Sequence, residues 1–82
     1  MGFYISWHKK ANNELEKLPA AISRRILNSV DKLKENPFLM DIKKLKGREG
    51  YRLRVGDYRV LFVIDKEEIK IIKVGHRKNI YD

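Results

Sequence analysis

The chain has 82 residues, 19 basic against 11 acidic side chains, a net charge of +8 and no cysteine. This length supports one domain, residues 1–82, with a small core; disulfide frameworks and thiolate chemistry are excluded, and two isolated histidines, His8 and His76, make no zinc site. No apolar run approaches the ~20 residues of a bilayer span, and Met1-Gly2-Phe3-Tyr4 does not open a signal peptide. A cytoplasmic protein without a metal, a cofactor or a membrane partner is the expectation.

Phe3, Ile5 and Trp7 alternate with Tyr4 and Ser6, the pattern of a short half-buried strand. The spacing turns helical over 8–18, where Ala11, Leu15 and Leu18 share a stripe. Pro19 closes that helix and can open the next within its first turn. From Ala20 to about Glu35, Ile22, Ile26, Val30 and Leu33 recur at helical intervals, and Asn36-Pro37 ends the run. Residues 37–50 read as a connection that contains the basic run Lys43-Lys44-Leu45-Lys46-Gly47-Arg48.

Period-two alternation then returns. Tyr51, Leu53 and Val55 alternate with Arg52 and Arg54, and Gly56-Asp57 is a two-residue turn of the kind that takes glycine first. Tyr58–Ile64 follows as a strand, Asp65–Glu68 as a turn, and Ile69–Gly75 as a last strand before a short polar tail. The order β-α-α-β-β-β implies an α+β domain: an antiparallel meander with a helical hairpin on one face. No long apolar stripe is left over, so the chain alone is expected to be monomeric.

Taking Gly56-Asp57 as the loop fixes a register. Val55 then opposes Tyr58, Arg54 opposes Arg59, Leu53 opposes Val60 and Arg52 opposes Leu61. One face reads Tyr51, Leu53, Val55, Tyr58, Val60, Phe62 and belongs under the helices. The other carries Arg54 beside Arg59, with Arg52 two residues along. Like charges directly across a strand pair repel. A sheet that accepts this either projects the arginines into water or holds an anion between them, and guanidinium–phosphate geometry suits the second. Charged side chains on the open face of an antiparallel sheet are also ordinary.

Charge distribution supports an anionic partner. Residues 1–42 carry 7 basic and 5 acidic side chains, a net of +2, whereas residues 43–82 carry 12 and 6, a net of +6. Lys43, Lys44, Lys46 and Arg48 precede the hairpin, and Arg77 and Lys78 follow the last strand; all could line one rim, where a basic surface would attract a phosphate backbone. For proton transfer the available groups are His76, Glu49 and Tyr81. A packing role for Tyr81 and a solvated loop carboxylate for Glu49 are the plain alternatives.

The run Lys44-Leu45-Lys46-Gly47, then Tyr51-Arg52-Leu53-Arg54-Val55-Gly56-Asp57-Tyr58-Arg59-Val60, then Val74-Gly75-His76-Arg77 and Ile80-Tyr81 resembles the RelE/ParE toxin superfamily. The resemblance covers essentially the whole chain. It implies a fold similar to small microbial ribonucleases and a toxin of a type II toxin–antitoxin pair. RelE-like members cut mRNA in the A site of a 70S-type ribosome, without a metal. The resemblance puts Arg52, Arg54, Arg59, Arg77 and Tyr81 at the family's functional positions, with His76 a further catalytic candidate. Some relatives carry lysines where this chain has Arg52 and Arg54, which removes one candidate base, since arginine stays protonated. The implied partners are a RelB-like antitoxin and, through the complex alone, operator DNA. The ParE-like branch, which inhibits DNA gyrase, and a non-catalytic nucleic-acid-binding module are the alternatives.

Overall fold

The structure, a computed structural model, describes residues 2–80. Its elements are strand β1 (Tyr4–Trp7), helices α1 (Lys9–Glu16) and α2 (Ala20–Lys32), and strands β2 (Ile42–Lys44), β3 (Tyr51–Val55), β4 (Tyr58–Asp65) and β5 (Glu68–His76). A single 3₁₀ turn, Pro37–Leu39, precedes β2. The five strands form one sheet in the order β1-β5-β4-β3-β2. This is the expected α+β architecture with one strand more, taken from the segment expected to be a connection.

Local chemistry explains the helical hairpin. His8 is the N-cap of α1, and its Nδ1 accepts the Lys10 backbone N–H at 3.2 Å. Pro19 stands at the start of α2, where its missing N–H costs nothing. Ser23 Oγ donates to the Leu15 carbonyl at 2.9 Å and ties the second helix to the end of the first. Ala11 and Leu15 of α1, and Ile26 and Val30 of α2, are buried against the sheet with Leu33 just beyond the helix. Glu14 reaches from α1 to the sheet, where its Oε1 accepts the Val74 N–H at 3.0 Å.

The sheet is mixed rather than a pure meander. β2–β3, β3–β4 and β4–β5 are antiparallel, but β1 lies parallel to β5, with Ile5 level with Ile69 and Trp7 with Ile71. A parallel pairing needs a crossover, and the helical hairpin is part of the long connection that returns the chain to the same sheet. Leu53, Val55, Val60, Phe62, Ile69, Ile71 and Val74 fill the helix-side face. A register shift between Leu61 and Phe62 leaves Ile72 without an opposite residue, so Lys73 lies level with Leu61, and Ile71 with Phe62.

The helix side is not fully covered. Phe3, Ile5, Trp7, Leu27 and Val30, together with Asp31 and Lys34, line an open groove of about 400 Å³ beside β1 and α2, with Leu27 exposed.

Gly50 is the tightest point of the connection into β3. Its φ is +121°, and a Cβ there would stand 2.9 Å from the Phe62 carbonyl oxygen and 3.2 Å from Val63 Cγ1. A side chain meets both backbone strain and a main-chain collision, costs of about 1–3 kcal/mol each. Gly50→Ala is therefore expected to lower the free energy of unfolding by at least ~2 kcal/mol in urea titrations, and an unchanged midpoint would contradict the close approach.

Candidate nucleic-acid interface

The hairpin register matches the sequence-based one at every position. Val55 faces Tyr58, Arg54 faces Arg59, Leu53 faces Val60 and Arg52 faces Leu61. Gly56 has φ +60°, as a turn that takes glycine first requires, whereas Asp57 has no positive φ. Because side chains alternate, the two-residue turn decides which residues share the open face. Neighbouring strands extend the rows. Lys43 on β2 is level with Arg52, so Lys43, Arg52, Leu61 and Lys73 cross four strands on one face. The next row holds Arg54, Arg59 and Gly75.

Each cation near the turn is held differently. Asp41 Oδ2 takes both Nε and Nη2 of Arg54 at 2.6 Å, and the Arg54 backbone N–H donates to the Asp41 carbonyl at 3.0 Å. Arg59 Nη1 donates to the Gly56 carbonyl at 2.9 Å and to the Tyr58 carbonyl at 3.0 Å. Two of its five N–H donors are thus used to fix the guanidinium at the turn, and those on Nε and Nη2 remain. The Arg77 backbone N–H donates to the Asp57 carbonyl at 2.8 Å, and its Nε lies 3.8 Å from Asp57 Oδ1. Anchoring across the same two-residue turn brings Arg59 and Arg77 to one end of the hairpin.

The chain after β5 closes over this row. Asn79 and Ile80 both donate backbone N–H groups to the His76 carbonyl, so the tail makes a tight turn. Ile80 is buried, and its Cδ1 lies 3.2 Å from where a Gly75 Cβ would be. Glycine at position 75 thus lets an apolar residue settle beside Arg59. Tyr81, the next residue, lies outside the described residues.

His76 is not brought to the arginine face. It is level with Tyr58 on the helix side, with ring centroids 5.4 Å apart and the planes edge to face. Its Nδ1 accepts the Lys78 N–H at 3.1 Å, so the neutral ring carries its proton on Nε2. The sequence pointed to His76 through its neighbour Arg77, but Arg77 lies past the end of β5, whereas His76 ends the strand and shares the face of Tyr58, one residue out of phase with the Arg59–Gly75 row. Lys78 is exposed in the same tail turn. Glu49 is exposed in the loop between β2 and β3.

The remaining basic run forms a groove. Lys43, Lys44, Leu45, Lys46, Arg48 and Arg52 line an open cavity of about 460 Å³, and the Leu45 N–H to Gly50 carbonyl bond at 3.0 Å closes the loop beneath it. Five of those six residues are cationic. Lys73 was not singled out from sequence, since its face depends on the irregularity in β5. Among the described residues no group of three His, Asp or Glu side chains converges as metal ligands would. None of the described helices is long and apolar enough to cross a membrane.

Residues 5–81 match the family described as ParE toxin of type II toxin-antitoxin system, parDE. The chain belongs to the RelE/ParE superfamily of type II toxins. It is 36% identical to the RelE1 protein of Methanocaldococcus jannaschii, over 99% of this chain and 97% of that one. Its fold is similar to a chain of the archaeal RelE–RelB complex from Pyrococcus horikoshii, with a TM-score of 0.81, 34% identity, and coverage of 96% and 99%. A chain of the RelBE2 toxin–antitoxin complex from Mycobacterium tuberculosis superposes with a TM-score of 0.84 at 26% identity, covering 94% of this chain and all of that one. The superfamily assignment thus agrees with the signature read from Tyr51–Val60 and Val74–Arg77.

The Asp41–Arg54 pair is exposed on both sides, so it adds little stability. Its larger effect is on the charge that the face presents. Asp41→Asn is expected to make the protein elute from heparin at higher salt, with stability changed by less than about 1 kcal/mol. Unchanged retention would show that the carboxylate does not mask Arg54.

Proposed function

We propose that this toxin is a ribosome-dependent endoribonuclease that cuts mRNA in the A site and so inhibits translation. The observation that carries the reading is the row of Arg54 and Arg59, fixed opposite each other with Arg77 anchored across the same turn. In this reading the 2′-oxygen attacks phosphorus and loses its proton, the bond from phosphorus to the 5′-oxygen breaks, and the 5′-oxygen takes up a proton. The products are a 2′,3′-cyclic phosphate and a 5′-hydroxyl. Negative charge grows on the non-bridging oxygens at the transition state, and cations already in place act most strongly there. Arg59 and Arg77 take that role, Arg54 orients the linkage, and Lys43, Lys44, Lys46, Arg48, Arg52 and Lys78 bind the backbone.

The proton steps have few donors on this face. Arginine cannot act as a base at neutral pH, and His76 is separated from the row by the sheet and holds its proton on Nε2. Tyr81, which the resemblance puts at a functional position, is the group assigned to proton transfer or base stacking. Relatives from Pyrococcus horikoshii and Methanococcus jannaschii were solved in RelE–RelB complexes, and we extend a RelB-like antitoxin partner to this chain. The groove beside β1 and α2 supports that extension, because it offers a partner segment exposed Leu27 among apolar residues, with Asp31 and Lys34 at its lining. Operator binding would belong to the complex, and the toxin alone would be a cytoplasmic monomer.

The match of residues 5–81 to the ParE description favours one other reading, gyrase inhibition without RNA cleavage. Translation of a defined mRNA in a purified system, with 5′ ends mapped by primer extension, separates the two. New ends within codons, dependent on ribosomes, are expected. Arg59→Ala is expected to lose at least ~10²-fold in cleavage rate while keeping its thermal midpoint within a few degrees. Intact message together with inhibited supercoiling would select the ParE-like reading.

A further inference from the structure

The groove between β2, the loop 45–50 and β3 differs from Arg54 and Arg77 at the turn, which have carboxylates beside them. Arg54 is paired with Asp41, and Arg77 lies near Asp57. Among the described residues, none of Lys43, Lys44, Lys46, Arg48 and Arg52 forms an ion pair, although they surround one cavity of about 460 Å³. Five cations line this groove with no carboxylate among its lining residues, and they make a local potential that mutual repulsion should disperse unless an anion offsets it.

Arg52 gives a second, independent indication. Its Nε is shielded from solvent and has no hydrogen-bond partner, alone among buried side-chain nitrogen and oxygen atoms of the described residues. A shielded guanidinium donor without an acceptor is unfavourable, so rotation toward an incoming anion is driven by the bond it would form. A phosphate suits this set, since the planar fork of Arg52 can bind two oxygens while the lysines supply point charges.

We propose that this groove is a second phosphate subsite, which anchors the RNA at a linkage next to the one that is cut. The inference rests on the ribonuclease reading and adds a division of labour to it. Arg52 and Arg54 lie on one face of β3 two residues apart, about 7 Å along the strand. That distance is comparable with the step between successive phosphates of an extended single strand. One RNA chain can therefore place a phosphate in the groove and the next at the turn, where Arg59 and Arg77 wait. Lys43, level with Arg52 on β2, flanks the first phosphate. The loop closed by the Leu45–Gly50 bond carries Lys46 and Arg48 over it.

The test uses an uncleavable 2′-O-methyl RNA nonamer and the purified toxin, with binding followed by fluorescence anisotropy across a salt series. Lys46→Ala/Arg48→Ala alters two exposed loop residues, and circular dichroism confirms that the fold is kept. The salt slope of log affinity is expected to fall by roughly 1.4, the share of two phosphate contacts on a single strand. Oligonucleotides that carry one neutral methylphosphonate at each linkage in turn then locate the subsite. In the wild type two adjacent linkages should each lose affinity several-fold when neutralised, and in the double variant one of them should become indifferent. An unchanged slope, or equal losses at every linkage in both proteins, would overturn the subsite. So would a glutamate-rich peptide of equal charge that binds the wild type better than the RNA and loses its affinity in the double variant. Because the RNA cannot be cut, this result stands apart from the cleavage assay, and failure of either reading is seen separately.

Discussion

Two arginines face each other across one rung of a hairpin, and the rest of the open face is arranged around that repulsion. Opposed like charges on neighbouring strands destabilise a pair by up to about 1 kcal/mol. Here the register cannot slip to avoid it, since a one-residue shift would turn the apolar set of one strand, Leu53 and Val55 or Val60 and Phe62, from the core into water. Apolar burial on the helix side thus decides what the other side must display. The fold then softens the repulsion: Asp41 grips Arg54, and the carbonyls of Gly56 and Tyr58 hold Arg59 by the turn.

The same restraints explain how the face could work on an anion. A guanidinium already bonded to main-chain carbonyls loses little freedom when a phosphate arrives, so its charge acts without reorganisation. Arg77 reaches this end of the hairpin through main-chain and side-chain contacts with Asp57, although it lies 18 residues past Arg59 in the chain. Gly75 and Ile80 complete the surroundings, with glycine leaving room for an apolar side chain beside the row. Cations at the turn are therefore restrained one by one, whereas those lining the groove at the other end of β3 form no ion pair among the described residues.

Much of this was legible in the sequence, and physical reasons separate what was from what was not. The β3–β4 hairpin could be read because alternation and a two-residue turn leave one register that puts Tyr51, Leu53, Val55, Tyr58, Val60 and Phe62 on one face. Helices α1 and α2 followed from stripes of Ala11, Leu15, Ile26 and Val30. Strand β2 could not be read, because three residues with a Lys43-Lys44 pair show no alternation; the bonds to β3 make it a strand. The parallel pairing of β1 with β5 joins residues more than 60 apart, and local pattern carries no trace of it. The irregularity opposite Leu61 and Phe62 shifts the phase of β5, so the sides taken by Lys73 and His76 depended on a feature without a sequence signal. The superfamily signature lies in contiguous residues such as Tyr51–Val60, so the family is readable from the order of side chains alone.

The central claim is that the hairpin register assembles one anion-binding face from Lys43, Arg52, Arg54 and Arg59, on the side of the sheet away from the helices. An NMR titration of the ¹⁵N-labelled toxin with uncleavable single-stranded RNA tests it most directly. The account predicts that the largest shifts, including arginine Nε signals, fall on Arg52, Arg54, Arg59 and the loop 45–50, while the Leu15, Ile26 and Val30 signals stay in place. Shifts concentrated on α1 and α2, with the arginine signals unmoved, would contradict it.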